Sequence, residues 1–257
     1  MMWINKKAEI IERNYSKWFL TPVKRTINDY EMIKEGDKIA LAVSGGGDSS
    51  ALLYILSLVK AHAPVSFSLQ AIFVDLGWEM DVSPLEELCR NLGIPLHKEK
   101  TLISRIVFEE KKEKNPCSLC SKLRRGALHN TALKLGCNRV ALGHHLNDSM
   151  ETFFLNLLYS GKLDTFKPTT FLGRSQLYLI RPLISIPANT LSSLTKKEKL
   201  PVINNPCPVS GGTRREVMNE IVNFILSRYP QFYDRFITAM EKHDIWPREP
   251  YVVNSRS

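Results

Sequence analysis

Lys38–Ser50 reads KIALAVSGGGDSS, and the organisation of the chain follows from it. The mostly apolar run Lys38 to Val43 suits a buried parallel strand, and the Ser-Gly-Gly-Gly that ends it suits a tight turn. From Asp48 onward (DSSALLYILSLVK) the pattern is helical. A glycine-rich turn between a strand and a helix is where backbone N–H groups and the helix dipole together can hold a phosphate. Gly45, Gly46 and Gly47 let the backbone approach an anion without Cβ clashes. The hydroxyls of Ser44, Ser49 and Ser50 can donate to phosphate oxygens, and Asp48 can hold Mg²⁺ or cap the helix. No Lys follows the glycines, so this is not the G-x-x-x-x-G-K-S/T loop of kinases and GTPases.

Outward from this stretch the alternation continues. A strand is expected at about 66–74, a helix at 83–92 capped by Gly93, and an extended stretch at 95–98. The charged run Phe108 to Lys114 breaks at Asn115-Pro116 and delivers Cys117 to a helix start, with a basic helix over 120–134. Arg139 to Leu142 reads as a short strand ending in Gly143-His144-His145. A helix follows, with Met150, Phe153, Phe154, Leu157 and Leu158 on one apolar face. Beyond Gly161 the pattern weakens through a series of prolines. The last clear helix runs from about 213 to 227, with Val217, Ile221, Phe224 and Ile225 apolar. Strands alternating with helices indicate an α/β parallel sheet. Ahead of it, Ile10, Ile11, Tyr15 and Phe19 at helical spacing indicate an amphipathic helix. The expected division is an N-terminal helical extension over 1–35, the main domain over 36–230 and a basic tail over 231–257.

The chain has 257 residues, room for one large domain or one domain with a small annex. With 44% hydrophobic and 24% charged residues, disordered and fibrous classes are excluded. The longest apolar stretch, about Ala51 to Val59, is far short of the ~20 residues a membrane span needs. The N-terminal MMWINKKAEIIERN has no signal-peptide core, so a cytoplasmic protein without a membrane partner is expected. Lys and Arg number 35 against 26 Asp and Glu, and the net charge of +9 favours a polyanionic partner such as RNA.

Five cysteines in a reducing compartment point to structural thiols, metal ligands or redox groups rather than a disulfide framework. Cys117 and Cys120 form a C-x-x-C pair, and Cys207 stands between Pro206 and Pro208. Cys89, at helical spacing with Leu85, Leu88 and Leu92, and Cys137 read as core. A lone C-x-x-C does not choose between zinc, which needs about four ligands, and redox chemistry.

SGGGDS resembles the S-G-G-x-D-S loop of the PP-loop ATP pyrophosphatases, the fold of tRNA lysidine synthetases and tRNA thiolases. The segment Gly143-His144-His145-Leu146-Asn147-Asp148 with Glu151-Thr152 is similar to that family's second element, G-H-H-x-x-D-x-x-E-T. The resemblance implies an α/β, parallel-sheet PP-loop (adenine nucleotide α-hydrolase-like) domain with helices on both faces. It implies ATP on Ser44 to Ser50, with Gly143, His144, His145 and Asp148 facing the nucleotide at the carboxyl end of a neighbouring strand. The stretch PCSLCSKLRRGAL resembles the TtcA-like tRNA 2-thiocytidine synthetase branch. There the two cysteines and a third, after an Asn/Pro-rich turn, hold a [4Fe-4S] cluster. Cys207 in Asn204-Asn205-Pro206-Cys207-Pro208 fits the third position, and Arg181-Pro182-Leu183 resembles the branch's R-P-L. Three thiolates leave one iron open, where sulfide can bind. The chain departs from the branch at Gly47, usually Lys, and at Ser210, where a further cysteine is usual.

The implied activity is ATP-dependent tRNA thiolation: a base carbonyl is adenylated, pyrophosphate leaves, and sulfur replaces the oxygen, with Asp48, Cys117 and Cys120 at the centre of the chemistry. ATP, Mg²⁺ and the [4Fe-4S] cluster are the implied cofactors. The implied partners are tRNA, sulfide or a sulfur-donor protein, and a second copy in a homodimer. Among the basic residues, Lys122, Arg124, Arg125, Arg214 and Arg215 are expected to meet RNA, because they lie near the cysteines in sequence. Tyr159 or Phe166 are candidates to stack on an unstacked base. Three other readings stay open: an amidating or lysidine-type ligase with zinc-bound or free cysteines, a cluster enzyme acting on small molecules, and an RNA-binding module with a degenerate nucleotide site.

Overall fold

A computed structural model of the chain describes residues 15–111, 116–209 and 214–253. Its centre is a seven-stranded sheet of β1 (Lys38–Val43), β2 (Ser68–Asp75), β3 (Leu96–Lys100), β4 (Arg139–Ala141), β5 (Thr169–Leu172), β6 (Leu177–Ile180) and β7 (Tyr251–Val253). Across the sheet the order is β3-β2-β1-β4-β6-β5-β7. The first five in this order are parallel, β5 runs antiparallel to β6, and β7 runs parallel to β5. The chain leaves β1 toward β2 and β3 on one side and returns to place β4 on the other. That reversal opens a crevice at the carboxyl ends of β1 and β4, the usual ligand position in open α/β sheets.

The longer helices are α1 (Thr21–Asp29), α2 (Gly47–Ala61), α3 (Ser83–Leu92), α4 (Pro116–Lys134), α5 (Leu146–Ser160), α6 (Ala188–Lys197), α7 (Arg214–Arg228) and α8 (Phe232–Lys242). The alternation of β1 sorts them onto two faces. Ile39, Leu41 and Val43 join a large cluster with residues of α1, α2, α3, α6 and α8, whereas Ala40 joins a smaller one with Leu128 and Ala132 of α4. The parallel α/β sheet with helices on both faces is the architecture expected from the sequence. Cys89 and Cys137 are buried, one in each cluster.

The structure corrects three expectations. The region after Gly161 holds β5, β6 and α6, short elements whose flanking prolines obscure their pattern. The expected tail over 231–257 contains, in its described part, α8 and β7, and Phe236, Met240 and Trp246 are buried in the main core. The apolar faces expected on α5 and α7 are only partly covered: Leu158 is 60% and Phe224 64% exposed, and α7 buries Met218 and Val222 instead. Ile10 and Ile11 lie outside the described residues; Tyr15 and Phe19 are buried against the core.

Candidate active site

The phosphate loop leaves β1 at Ser44 and enters α2 at Gly47. Gly45 has φ +85°, and a Cβ there would stand 3.1 Å from Cβ of Ile203, so only glycine fits. The Ser49 hydroxyl donates to the Gly46 carbonyl at 2.8 Å and accepts from the Ser44 N–H at 3.2 Å, which fixes the turn. The Ser50 hydroxyl donates to the Pro201 carbonyl at 2.7 Å, and Ser50 is fully buried. Ser49 and Ser50 therefore frame the loop, a correction to their expected place on the phosphate; Ser44 remains exposed.

Across the crevice, Gly143 and His144 follow β4. A Cβ on Gly143 would lie 3.2 Å from the Asp48 carbonyl oxygen, so the missing side chain lets the two loops touch. Gly143→Ala should push the first turn of α2 out of place and weaken ATP binding roughly tenfold, measured by calorimetric titration, with little change in melting temperature. His145 caps α5: its Nδ1 accepts from the Asp148 N–H at 3.2 Å, while the Asp148 carboxylate accepts from the His145 N–H at 3.0 Å. His145, expected to face the nucleotide, is largely spent on this cap. Its Nε2 still lies 3.7 Å from the half-exposed carboxylate of Asp48. Partial burial pushes the Asp48 carboxyl up, His145 opposes this, and the charge of Asp148 adds to it. A divalent cation between Asp48 and Asp148 would relieve that repulsion, and carboxylate oxygens suit Mg²⁺.

His144 stacks on Phe166 with ring centroids 4.3 Å apart, which removes Phe166 from the candidates for base stacking. The His144 Nδ1 accepts from the Arg181 Nε at 3.2 Å, so the neutral ring carries its proton on Nε2. Burial pushes His144 down to about 3; Arg181 adds to this and Asp148 opposes it. Because the unfolded histidine titrates near ~6.5, the unfolded state takes up the proton first as pH falls. The contribution of His144 to stability is intact above about pH 6.5 and is lost between there and about 3, by at most ~1.4 kcal/mol per pH unit. An NMR titration should show the His144 ring unchanged from pH 8 down to ~5.

The three thiols expected to form one set lie on two segments. Cys117 and Cys120 lie in the first turns of α4, and Cys207 lies in the loop after α6. Burial pushes the Cys120 thiol up, Arg124 pulls it down, and both Cys207 and Cys117 are near enough to push it up further. The Cys207 segment is joined to the phosphate loop: the Ile203 N–H donates to the Gly45 carbonyl at 2.8 Å, beside the Ser50 bond to Pro201. Among the described residues, no group of three His, Cys, Asp or Glu is compact enough to hold a single metal ion. As a donor set, three cysteines suit an iron–sulfur cluster, in which each thiolate would bind its own iron, better than one zinc ion, which needs about four ligands.

The expected RNA contacts divide. Lys122, Arg124 and Arg125 are exposed on α4 beside the thiols. Arg214 is exposed with its guanidinium over the ring of Tyr159 at 4.5 Å, and Tyr159 itself is 49% exposed. Arg215 instead bonds Asp148 at 3.2 Å and Glu151 at 3.3 Å, holding α7 on α5, a correction to its expected role. The Arg181-Pro182-Leu183 pattern does not by itself put Arg181 in the site; its partners His144 and Lys167 do. The side chain is 7% exposed, and burial with nearby Arg125 pulls its guanidinium down to about 10.

Comparison with known proteins shows the family of the chain. Residues 16–222 match the family model described as PP-loop domain. The tRNA-cytidine(32) 2-sulfurtransferase of Geotalea uraniireducens is 36% identical over 238 residues, covering 91% of this chain and 93% of that protein. The enzyme of the same name from Neisseria gonorrhoeae is 36% identical over 245 residues, covering 91% of this chain and 75% of that protein. Among solved structures, the U34-tRNA thiolase NcsA from Methanococcus maripaludis with its [4Fe-4S] cluster superposes with a TM-score of 0.67 at 22% identity, covering 87% of this chain and 80% of that one, a likeness of fold. With its phosphate loop, its paired crevice loops and these relatives, the chain belongs to the PP-loop domain family, on the branch of the tRNA-cytidine(32) 2-sulfurtransferases.

Proposed function

We propose that the protein is an ATP-dependent tRNA sulfurtransferase that replaces the 2-oxygen of cytidine 32 with sulfur, the reaction in the name of its relatives. The observation that carries this is the bonding of the Cys207 segment to the phosphate loop, with Cys117 and Cys207 both acting on the charge of the Cys120 thiol. Ser44, the backbone N–H groups of Gly45 to Gly47 and the amino end of α2 hold the phosphates of ATP. The base carbonyl oxygen attacks the α-phosphorus and pyrophosphate leaves; sulfide then attacks the adenylated carbon and AMP leaves. Backbone dipoles aimed at the phosphates stabilise the departing pyrophosphate; Asp48 and Asp148 are the residues that would hold Mg²⁺, which would supply further positive charge there. The neutral His144 keeps a donor N–H on Nε2 for an oxygen of the nucleotide or base.

Cys117, Cys120 and Cys207 are the residues that would hold a [4Fe-4S] cluster, whose open iron supplies a place for sulfide. The exposed basic residues of α4, with Arg214 and Tyr159, suit the phosphates and an unstacked base of tRNA. The reading also includes a cytoplasmic setting, sulfide or a sulfur-donor protein, and a homodimer. Leu158, Leu163 and Phe224 are each at least 60% exposed, apolar side chains available to a second copy. Among the described residues, no helix is long and apolar enough to cross a membrane. The test is pyrophosphate release by anaerobically prepared protein. Release that requires both ATP and tRNA, and multiple turnovers that require sulfide, are expected; turnover indifferent to sulfide would favour a ligase.

A further inference from the structure

The residues that follow β1, β4 and β6 form a row along the carboxyl edge of the sheet. Leu41, Ala141 and Ile180 are neighbours in register across these parallel strands. Just beyond them stand the phosphate loop, His144 and Arg181. With strands ~4.8 Å apart, Arg181 leaves the sheet ~10 Å from the exit of β1, past the phosphates that the loop itself would grip.

The Arg181 guanidinium is held on three sides. Its Nη1 donates to the Lys167 carbonyl at 2.6 Å, its Nε donates to the His144 Nδ1 at 3.2 Å, and its face lies over the Phe166 ring at 5.2 Å. The Nη2, which shares the forked edge with Nε, has no hydrogen-bond partner among the described residues. The charge, more than nine-tenths buried, also has no carboxylate partner among them. Arg125, exposed on α4, brings a second positive charge close enough to lower the proton affinity of Arg181. An uncompensated buried charge is unfavourable, and a second guanidinium nearby makes it more so. Both become favourable once an anion with oxygens to spare enters the gap, since a planar fork suits phosphate.

We propose that Arg181 and Arg125 form a second phosphate-oxygen subsite, separate from the phosphate loop and locked in orientation by His144, Phe166 and the Lys167 carbonyl. The phosphate comes either from the nucleotide, as the α-phosphate that stays on the adenylated base, or from the RNA backbone beside the target base. The subsite rests on the crevice being the reaction site, but its test reads binding rather than thiolation.

The experiment measures the affinity of the full chain for AMP, ATP, pyrophosphate and tRNA, the last over a range of salt, for wild type, R181Q, R181K and R125Q. With a nucleotide source, AMP and ATP bind about tenfold or more weakly in R181Q and R125Q, while pyrophosphate is unaffected. With an RNA source, nucleotide binding is unchanged, tRNA binding weakens, and the slope of log affinity against log salt shrinks by about one. R181K, which keeps the charge but loses the fork, falls between wild type and R181Q in either case. Folded R181Q and R125Q that bind AMP, ATP and tRNA within twofold of wild type would overturn the proposal. If R181Q melts early, R181K decides, because it keeps the buried charge and loses only the fork: R181K that binds AMP, ATP and tRNA within twofold of wild type would then overturn the proposal. A wild type that binds tRNA but neither ATP nor pyrophosphate would refute the nucleotide reading, and the RNA arm would still report on the subsite.

Discussion

Alanine in place of Cys117, Cys120 or Cys207 is expected to cost most of the bound iron and at least ~100-fold in thiolation, with the fold intact. The three positions are well suited to this test because none is core: Cys117 is exposed and the other two are half-buried. Their removal opens no cavity, so melting should shift by no more than ~2 °C in the iron-free protein. Cys89 and Cys137 provide the opposite pattern. Both are buried, and burial pushes the Cys89 thiol up to about 11, with Glu86 adding to it, so it is protonated and inert at neutral pH. Cys89→Ser should cost ~1–3 kcal/mol of stability and leave iron content unchanged. Iron retained in Cys207→Ala would remove that residue from the set.

Asp37→Ala should destabilise the fold by about 3–5 kcal/mol, the largest stability effect expected outside a double substitution. Asp37 precedes β1 and Arg139 opens β4, and the two form a buried ion pair, each 4% exposed. The carboxylate also accepts from the Lys34 N–H at 2.6 Å and the Asn138 Nδ2 at 2.7 Å. Removing it strands the Arg139 guanidinium, which is left with the Tyr178 ring at 4.6 Å. The pair fixes the amino ends of β1 and β4 side by side, and the phosphate loop and the His144 loop are the other ends of those strands. Urea denaturation should show a lower midpoint with unchanged slope. Asp37→Ala combined with Arg139→Met should recover part of the loss, because the stranded charge is then gone. A loss below ~1 kcal/mol in the single variant would mean that Arg139 finds another partner.

Where local chemistry decides, the sequence is readable. KIALAV ended by glycines can be little other than a buried strand and a turn, and SPLEELCRNL followed by Gly93 contains its own helix and its left-handed stop, φ +65°. TTFL and LYLI, four residues each, are too short to show a period, and their pairing as an antiparallel hairpin edge is a tertiary fact. Phe232, Phe236 and Met240 do recur at helical spacing, a signal submerged by the surrounding charge. In the site, the glycines, the histidine pair and the thiols announce themselves by type and spacing. Contacts across the chain do not: Ser50 finds Pro201 151 residues away, and Arg215 finds Asp148 67 residues back. Whether a serine or an arginine is free for a ligand depends on such partners.

The central claim is that one crevice couples ATP cleavage to sulfur insertion into tRNA. Its most direct test is mass spectrometry of the nucleosides from tRNA incubated anaerobically with the protein, ATP and sulfide. The expected product is a cytidine carrying sulfur in place of one oxygen, formed in step with pyrophosphate and absent with Cys207→Ala. Pyrophosphate released without any sulfur-containing nucleoside, or an equal yield of thiolated cytidine from Cys207→Ala, would contradict the account.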